Sequence, residues 1–233
     1  MPGQSPIVGV VTRLVEFALA LLIAASSPLA AQTNPPADPA QWESAIRAFE
    51  TSDVAARPPG GGIVFIGSSS IRLWTSLATD FPGMPVLNRG FGGSQLPEVT
   101  AYVGRIVTPY RPRQVVVYCG GNDISAGRSA SDVLADLQAL VRAIRIGSPD
   151  ARIAYISIAP NPARWPQIAI VKAANQAIKE WTATDPRLTY IDVYAAMLGP
   201  DGQPKPDIFV ADRLHMNAKG YAIWRAVVGP HLH

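Results

Sequence analysis

Three hydroxyl side chains, Ser68 to Ser70, follow directly on the apolar run Ile63 to Ile66 and Gly67, and apolar residues at helical spacing (Ile71, Leu73, Trp74, Leu77) begin straight after. Strand, tight turn and helix in that order can hold a serine clear of its neighbours beside a helix N-terminus, whose free N–H groups favour developing negative charge. Serines at such a place also serve as ordinary helix caps. Acyl transfer from serine further needs a base for the hydroxyl proton and a carboxylate to orient that base. His231 and His233 lie at the extreme C-terminus, where a solvated, disordered tail is expected, and two histidines alone do not complete a metal site. His215 follows Asp212 by three residues in a turn ahead of the last helical segment. That spacing lets the carboxylate reach one imidazole nitrogen while the other points outward. It fits a capping aspartate beside an exposed histidine equally well.

Acyl transfer also needs donors aimed at the oxyanion. Gly92-Gly93 can bring a backbone N–H close to a ligand, and Asn122, in Gly120-Gly-Asn-Asp123, carries an amide with two donors. Glycine and asparagine are also the usual residues of plain turns. Cys119 is the only cysteine. It ends the apolar run Val115 to Tyr118 with no histidine near it in sequence, and so reads as a small buried residue.

These groups must be positioned by the elements around them. Apolar, mostly β-branched runs at Ile63 to Ile66, Val86 to Leu87, Val115 to Tyr118, Ile153 to Ile158 and Leu188 to Val193 predict five strands. Helical patterns fall at Ala40 to Val54, Ile71 to Ala78, Leu96 to Val107, Ala130 to Ile146, Gln167 to Thr182 and Ala218 to Val228. Such alternation predicts an α/β fold with right-handed crossovers and a parallel sheet covered on both faces. Ligands bind such sheets beyond the carboxyl ends of the strands. The serines, the glycine pair and the asparagine each follow a predicted strand, and the Asp212–His215 pair follows the last one after a long Gly/Pro-rich excursion, Ala195 to Asp207.

The chain has 233 residues, 48% hydrophobic and 16% charged, which suits one globular domain with a full-sized core. Its net charge of +3 comes from scattered basic residues without a Lys/Arg run, so nucleic acid is not an expected partner. Residues 1–31 read as a secretory signal peptide: Arg13, an apolar run from Phe17 to Ala25, then small residues ending at Ala31, the expected cleavage point. Glu16 leaves that run too short to span a bilayer comfortably, so no stable membrane insertion is expected after cleavage. A leader and N-terminal helix over 32–59 then precede the main domain, 60–233. The expected location is secreted or periplasmic.

In this order the four blocks Gly-Ser-Ser-Ser at 67–70, Gly-Phe-Gly-Gly at 90–93, Gly-Gly-Asn-Asp at 120–123 and Asp-Arg-Leu-His at 212–215 resemble the SGNH hydrolase superfamily, also called GDSL-type esterases and lipases. The resemblance covers about residues 60–230. It implies Ser69 as nucleophile, His215 as base and Asp212 as its partner, with an oxyanion hole from the N–H groups of Ser69 and Gly93 and the Asn122 amide. Ser68 departs from the family pattern, which more often has aspartate there, and Arg213 stands where a small residue is common. The implied fold is a three-layer α/β/α sandwich with a five-stranded parallel sheet in the order 2-1-3-4-5. The implied activity is hydrolysis of carboxylic esters without metal or cofactor. Export and the lack of a long apolar insertion favour short, acetyl-type acyl esters of carbohydrate, a small molecule or a polysaccharide, over lipase- or thioesterase-type activity on longer acyl chains. Arg89, Phe91, the segment from Pro160 to Trp165, and Arg213 are the expected substrate wall. A non-catalytic, flavodoxin-like anion-binding module is the rival reading; oligomeric state is not legible.

Overall fold

The structure, a computed structural model, describes residues 37–233, so the expected export signal over 1–31 and the leader as far as residue 36 lie outside the described residues. In chain order the elements are α1 (Glu43–Ala55), β1 (Ile63–Gly67), α2 (Ser69–Arg72), α3 (Leu77–Asp80), β2 (Val86–Gly90), α4 (Leu96–Ile106), β3 (Gln114–Tyr118), α5 (Gly121–Ser125), α6 (Ala130–Gly147), β4 (Arg152–Ile156), α7 (Ile168–Thr182), β5 (Leu188–Ile191) and α8 (Ala218–Val228). The five strands are all parallel, in the order β2-β1-β3-β4-β5. This is the predicted architecture.

The strands are apolar on both faces because each face is covered. On one face Val64, Ile66, Val115, Val117, Ile153 and Tyr155 pack under α1, α4, α6 and α7. On the other, Ile63, Phe65, Val116, Ala154 and Ile156 pack under α2, α3 and α8. The alternation along each strand follows from the two-residue period of the pleat.

The helix predicted over Ile71 to Ala78 is instead two single turns, α2 and α3. The Asn88 side-chain amide donates to the Ile71 carbonyl at 2.6 Å, taking an acceptor that a continuing helix would use. Asp80 then gathers the Trp74 indole and the Ser76 hydroxyl, each at 2.7 Å, and shapes the second turn. The C-terminus also departs from expectation. Gln114 at the start of β3 donates to the His231 carbonyl at 2.7 Å and accepts from the His233 N–H at 3.0 Å, so the tail is held against the sheet rather than solvated.

Candidate active site

The pairing register brings three strand ends level. Gly67, the last residue of β1, lies opposite Gly90 of β2 and Tyr118 of β3. It must be glycine: its φ is +130° and a Cβ there would stand 1.9 Å from the Tyr118 carbonyl oxygen. The chain leaves the sheet at that point and turns at once into α2, whose first residue is Ser69. Ser68 holds the N-cap position, yet its side chain makes no capping bond, so the capping role expected of it is absent. The Ser70 carbonyl accepts from the Tyr221 hydroxyl at 2.9 Å, fixing α2 against α8.

The long connection after β5 returns the chain to this edge. An antiparallel bridge between Phe209 and Met216 closes a turn in which the Val210 N–H donates to the His215 carbonyl at 2.9 Å. Asp212 shapes the turn and also orients the ring. Its Oδ1 accepts the N–H groups of Leu214 and His215, both at 2.9 Å, and its Oδ2 lies 2.6 Å from His215 Nδ1. The two readings left open by the spacing therefore coexist in one residue. His215 Nε2 is 2.8 Å from Ser69 Oγ, completing a hydroxyl–imidazole–carboxylate chain across 146 positions of sequence. Burial works against ionised Asp212, but the bonds from the His215 ring and from the two backbone N–H groups outweigh it and hold the carboxyl below its usual range.

Asn122 sits in the first turn of α5, a short helix that the sequence pattern did not reveal. Its amide donates to the Ser94 carbonyl at 3.0 Å, which fixes the amide plane. Gly93 is its neighbour: a Cβ on Gly93 would lie 3.7 Å from the Asn122 amide nitrogen. The adjacent Asp123, also missed by sequence reasoning, is fully buried and accepts the Leu96 N–H at 2.9 Å, tying the start of α4 to α5.

Ser69, Asn122 and His215 line one cleft that opens to solvent. Pro160, Asn161 and Arg164 also line it, as do the apolar side chains of Met197, Phe209, Met216 and Trp224. Several of the expected wall residues lie elsewhere. The Arg89 guanidinium turns under α1, where it donates to Tyr110 at 2.9 Å, pairs with Asp53 and stacks on Phe49. Phe91 is enclosed between Trp42 and Tyr102, with ring centroids 5.9 and 6.0 Å away. Both belong to the core because, two residues apart at the end of β2, they point to the same side, toward α1 and α4 and away from the cleft. Trp165 and Arg213 are not among the cleft residues; Arg213 is exposed with φ +59°, and its carbonyl accepts the Ala163 N–H at 3.1 Å. Arg213 thus ties the loop after β4 to the His215 turn through its backbone. From that loop it is Arg164, not Trp165, that reaches the cleft; membership of a strand-end loop was the only signal available for it.

Cys119 is buried, its thiol pushed well up by burial and by the nearby Asp123 charge, and it donates to the Ser94 carbonyl at 3.3 Å. Among the described residues no three His, Cys, Asp or Glu side chains gather as a metal site, and no helix is long and apolar enough to cross a membrane.

Comparison with known proteins gives the same fold and a family. Platelet-activating factor acetylhydrolase IB subunit alpha1 of Pongo abelii is 27% identical over 195 residues, 78% of each chain. A GDSL-like lipase from Bacteroides thetaiotaomicron superposes with a TM-score of 0.68 at 18% identity, over 80% of this chain and 96% of that one. A carbohydrate esterase family 3 protein from Talaromyces cellulolyticus superposes with a TM-score of 0.57 at 18% identity, over 73% and 95%. A profile of the GDSL-like lipase/acylhydrolase family matches residues 67–223, and with two thirds of its length so matched the chain belongs to that family and is an ester hydrolase.

Proposed function

We propose that this ester hydrolase is an exported serine esterase that uses Ser69, His215 and Asp212 on short acyl esters of carbohydrate. The observation that carries the proposal is the unbroken chain from Ser69 Oγ through His215 to Asp212, at 2.8 and 2.6 Å. Ser69 Oγ attacks the ester carbonyl carbon as its proton passes to His215 Nε2. The negative oxygen rests on the N–H groups of Ser69 and Gly93 and on the Asn122 amide. Collapse expels the alcohol, which takes the proton from His215, and leaves the acyl group on Ser69. Water then gives its proton to His215, attacks the acyl carbon and releases the acid, returning the proton to Ser69. Asp212 holds the ring in the tautomer that presents a bare Nε2 to the serine.

The preference for short acyl groups draws support from the acetylhydrolase relative, and the choice of carbohydrate from the carbohydrate esterase of the same fold. Replacing Ser69 by alanine should abolish turnover of a short activated ester. Removing the Asn122 amide should lower kcat by roughly 10²–10³-fold, the usual worth of one oxyanion donor. A serine-directed phosphonate should label Ser69, read by peptide mass. Wild-type rates in Ser69→Ala, or no label on Ser69, would sink the mechanism. Acetylated sugars set against fatty esters of rising chain length decide the acyl preference, and a rate that climbs with chain length removes the short-acyl reading. Export rests on the residue pattern of 1–31. The exported protein should begin at Gln32, and an intact Met1 in the secreted fraction would contradict cleavage.

A further inference from the structure

Arg164 reaches the cleft on a loop whose backbone is fixed at two points. The Arg164 N–H donates to the Asn161 side chain at 2.9 Å, and the neighbouring Ala163 N–H donates to the Arg213 carbonyl at 3.1 Å, which links this loop to the His215 turn. The guanidinium then lines the same cleft as Ser69, Asn122 and His215. Its Nη1 lies 3.5 Å from where a Cβ of Gly121 would stand, next to the residue that carries the Asn122 amide.

This guanidinium has no counterpart. Its Nε is fully enclosed and has no hydrogen-bond partner, and among the described residues no carboxylate pairs with it. Other arginines drawn in from solvent are treated differently: Arg89 pairs with Asp53 and Arg145 with Asp185. Desolvation disfavours the charge on Arg164, and the other group that bears on that charge is the phenol of Tyr118, itself kept neutral by burial. An unpaired, partly desolvated cation costs stability in the free protein. Its Nε is drawn out of solvent while the guanidinium faces the cleft. A guanidinium placed so is matched by a planar anionic oxygen group, which it can hold through two parallel hydrogen bonds.

We propose that Arg164 is a specificity residue that binds a carboxylate or phosphate carried by the ester substrate itself. The proposal rests on the reading of Ser69 as the nucleophile and adds the charge of the substrate to it. The ester carbonyl lies at Ser69, the small apolar part faces Met197, Phe209 and Trp224, and the anion lies against Arg164. On a carbohydrate ester the anion belongs either to an acidic sugar, on the alcohol side, or to an acyl group ending in a carboxylate.

Two pairs of esters separate these sources and test the idea. 4-Nitrophenyl acetate and mono-4-nitrophenyl succinate differ by a carboxylate on the acyl side; 4-acetoxybenzamide and 4-acetoxybenzoate differ by one on the alcohol side. In at least one pair the wild type should favour the anionic ester, and Arg164→Gln should cost that ester at least ~10-fold more in kcat/KM than its neutral counterpart. Arg164→Lys should recover part of the difference, since the charge returns without the fork. Calorimetry on Ser69→Ala provides a readout free of chemistry: succinate or 4-hydroxybenzoate should bind, and binding should vanish in the Ser69→Ala/Arg164→Gln double variant. Equal treatment of both members of both pairs by the wild type overturns the proposal, as does an equal loss on neutral and anionic esters in Arg164→Gln. Turnover of neutral esters without any anion preference removes this proposal alone. Failure of the wild type to hydrolyse all four removes the Ser69 mechanism and the proposal with it.

Discussion

Asp123 stands one position from the proposed oxyanion donor but belongs to the fold. Its carboxyl is wholly buried, and that burial pushes it up to about 6, against the pull of the backbone N–H groups of Leu96 and of Asp123 itself. Because the folded value lies above the ordinary 3.8, the protein takes up a proton on folding between those two values. The stabilisation linked to this proton is complete below 3.8 and is lost as pH rises through about 6. A shift of about two units corresponds to roughly 3 kcal/mol. Asp123→Asn, which retains an acceptor for Leu96 but no charge, should therefore gain on the wild type as pH rises from 4 to 7.5, measured by urea unfolding. A gap that does not change with pH would show that Asp123 is not the source. Around the site, the residue types legible in the sequence were those with distinctive chemistry, namely serine, histidine and aspartate at strand ends. Arg89 and Phe91 were misplaced because a residue next to a motif is aimed by its strand face, and face cannot be read where both sides of a sheet are apolar.

At the scale of elements, the link between α1 and the sheet runs through a buried ion pair. Arg89 on β2 donates to Tyr110 and pairs with Asp53 on α1, and Tyr110 donates to the same carboxylate. Removing one partner leaves the other charge enclosed, which typically costs about 3–5 kcal/mol. Asp53→Ala should lower stability by an amount of that order, while esterase turnover of the folded protein stays as it was, because the pair faces away from the cleft. A loss of turnover without loss of stability would place Arg89 at the site after all. The long strands and helices were legible because period and length are local properties. The break between α2 and α3 was not, because the group that ends α2 is the Asn88 amide, which comes from the next strand. The short helix α5 escaped notice for a similar reason: five residues hold no full amphipathic period.

For the whole molecule, the two faces of the sheet are unequal in what they do. The α4–α6–α7 face is mainly aliphatic with scattered aromatic rings, whereas the α2–α3–α8 face is built on a cluster of contacting aromatic rings that also reaches the cleft. Trp224 joins that cluster to the cleft, with its ring 4.6 Å from Tyr118 and 5.7 Å from Trp74 and its indole N–H on Met197. Trp224→Ala should cost about 3–5 kcal/mol, read from the denaturation midpoint, and should lower turnover as well because the same ring lines the cleft. Loss of stability with an intact rate would separate the core from the site. The sequence by itself determined the layered α/β architecture and the residues able to do acyl chemistry, because hydrophobic period and residue type are carried by each segment alone. Only the tertiary structure decided that Ser69 and His215, 146 positions apart, lie within a hydrogen bond, that Asp212 serves turn and ring together, and that Arg164 rather than Arg89 brings its charge to the cleft. Those outcomes depend on strand register, on the face from which each side chain leaves and on the path of the connection after β5. These follow from packing all the segments at once.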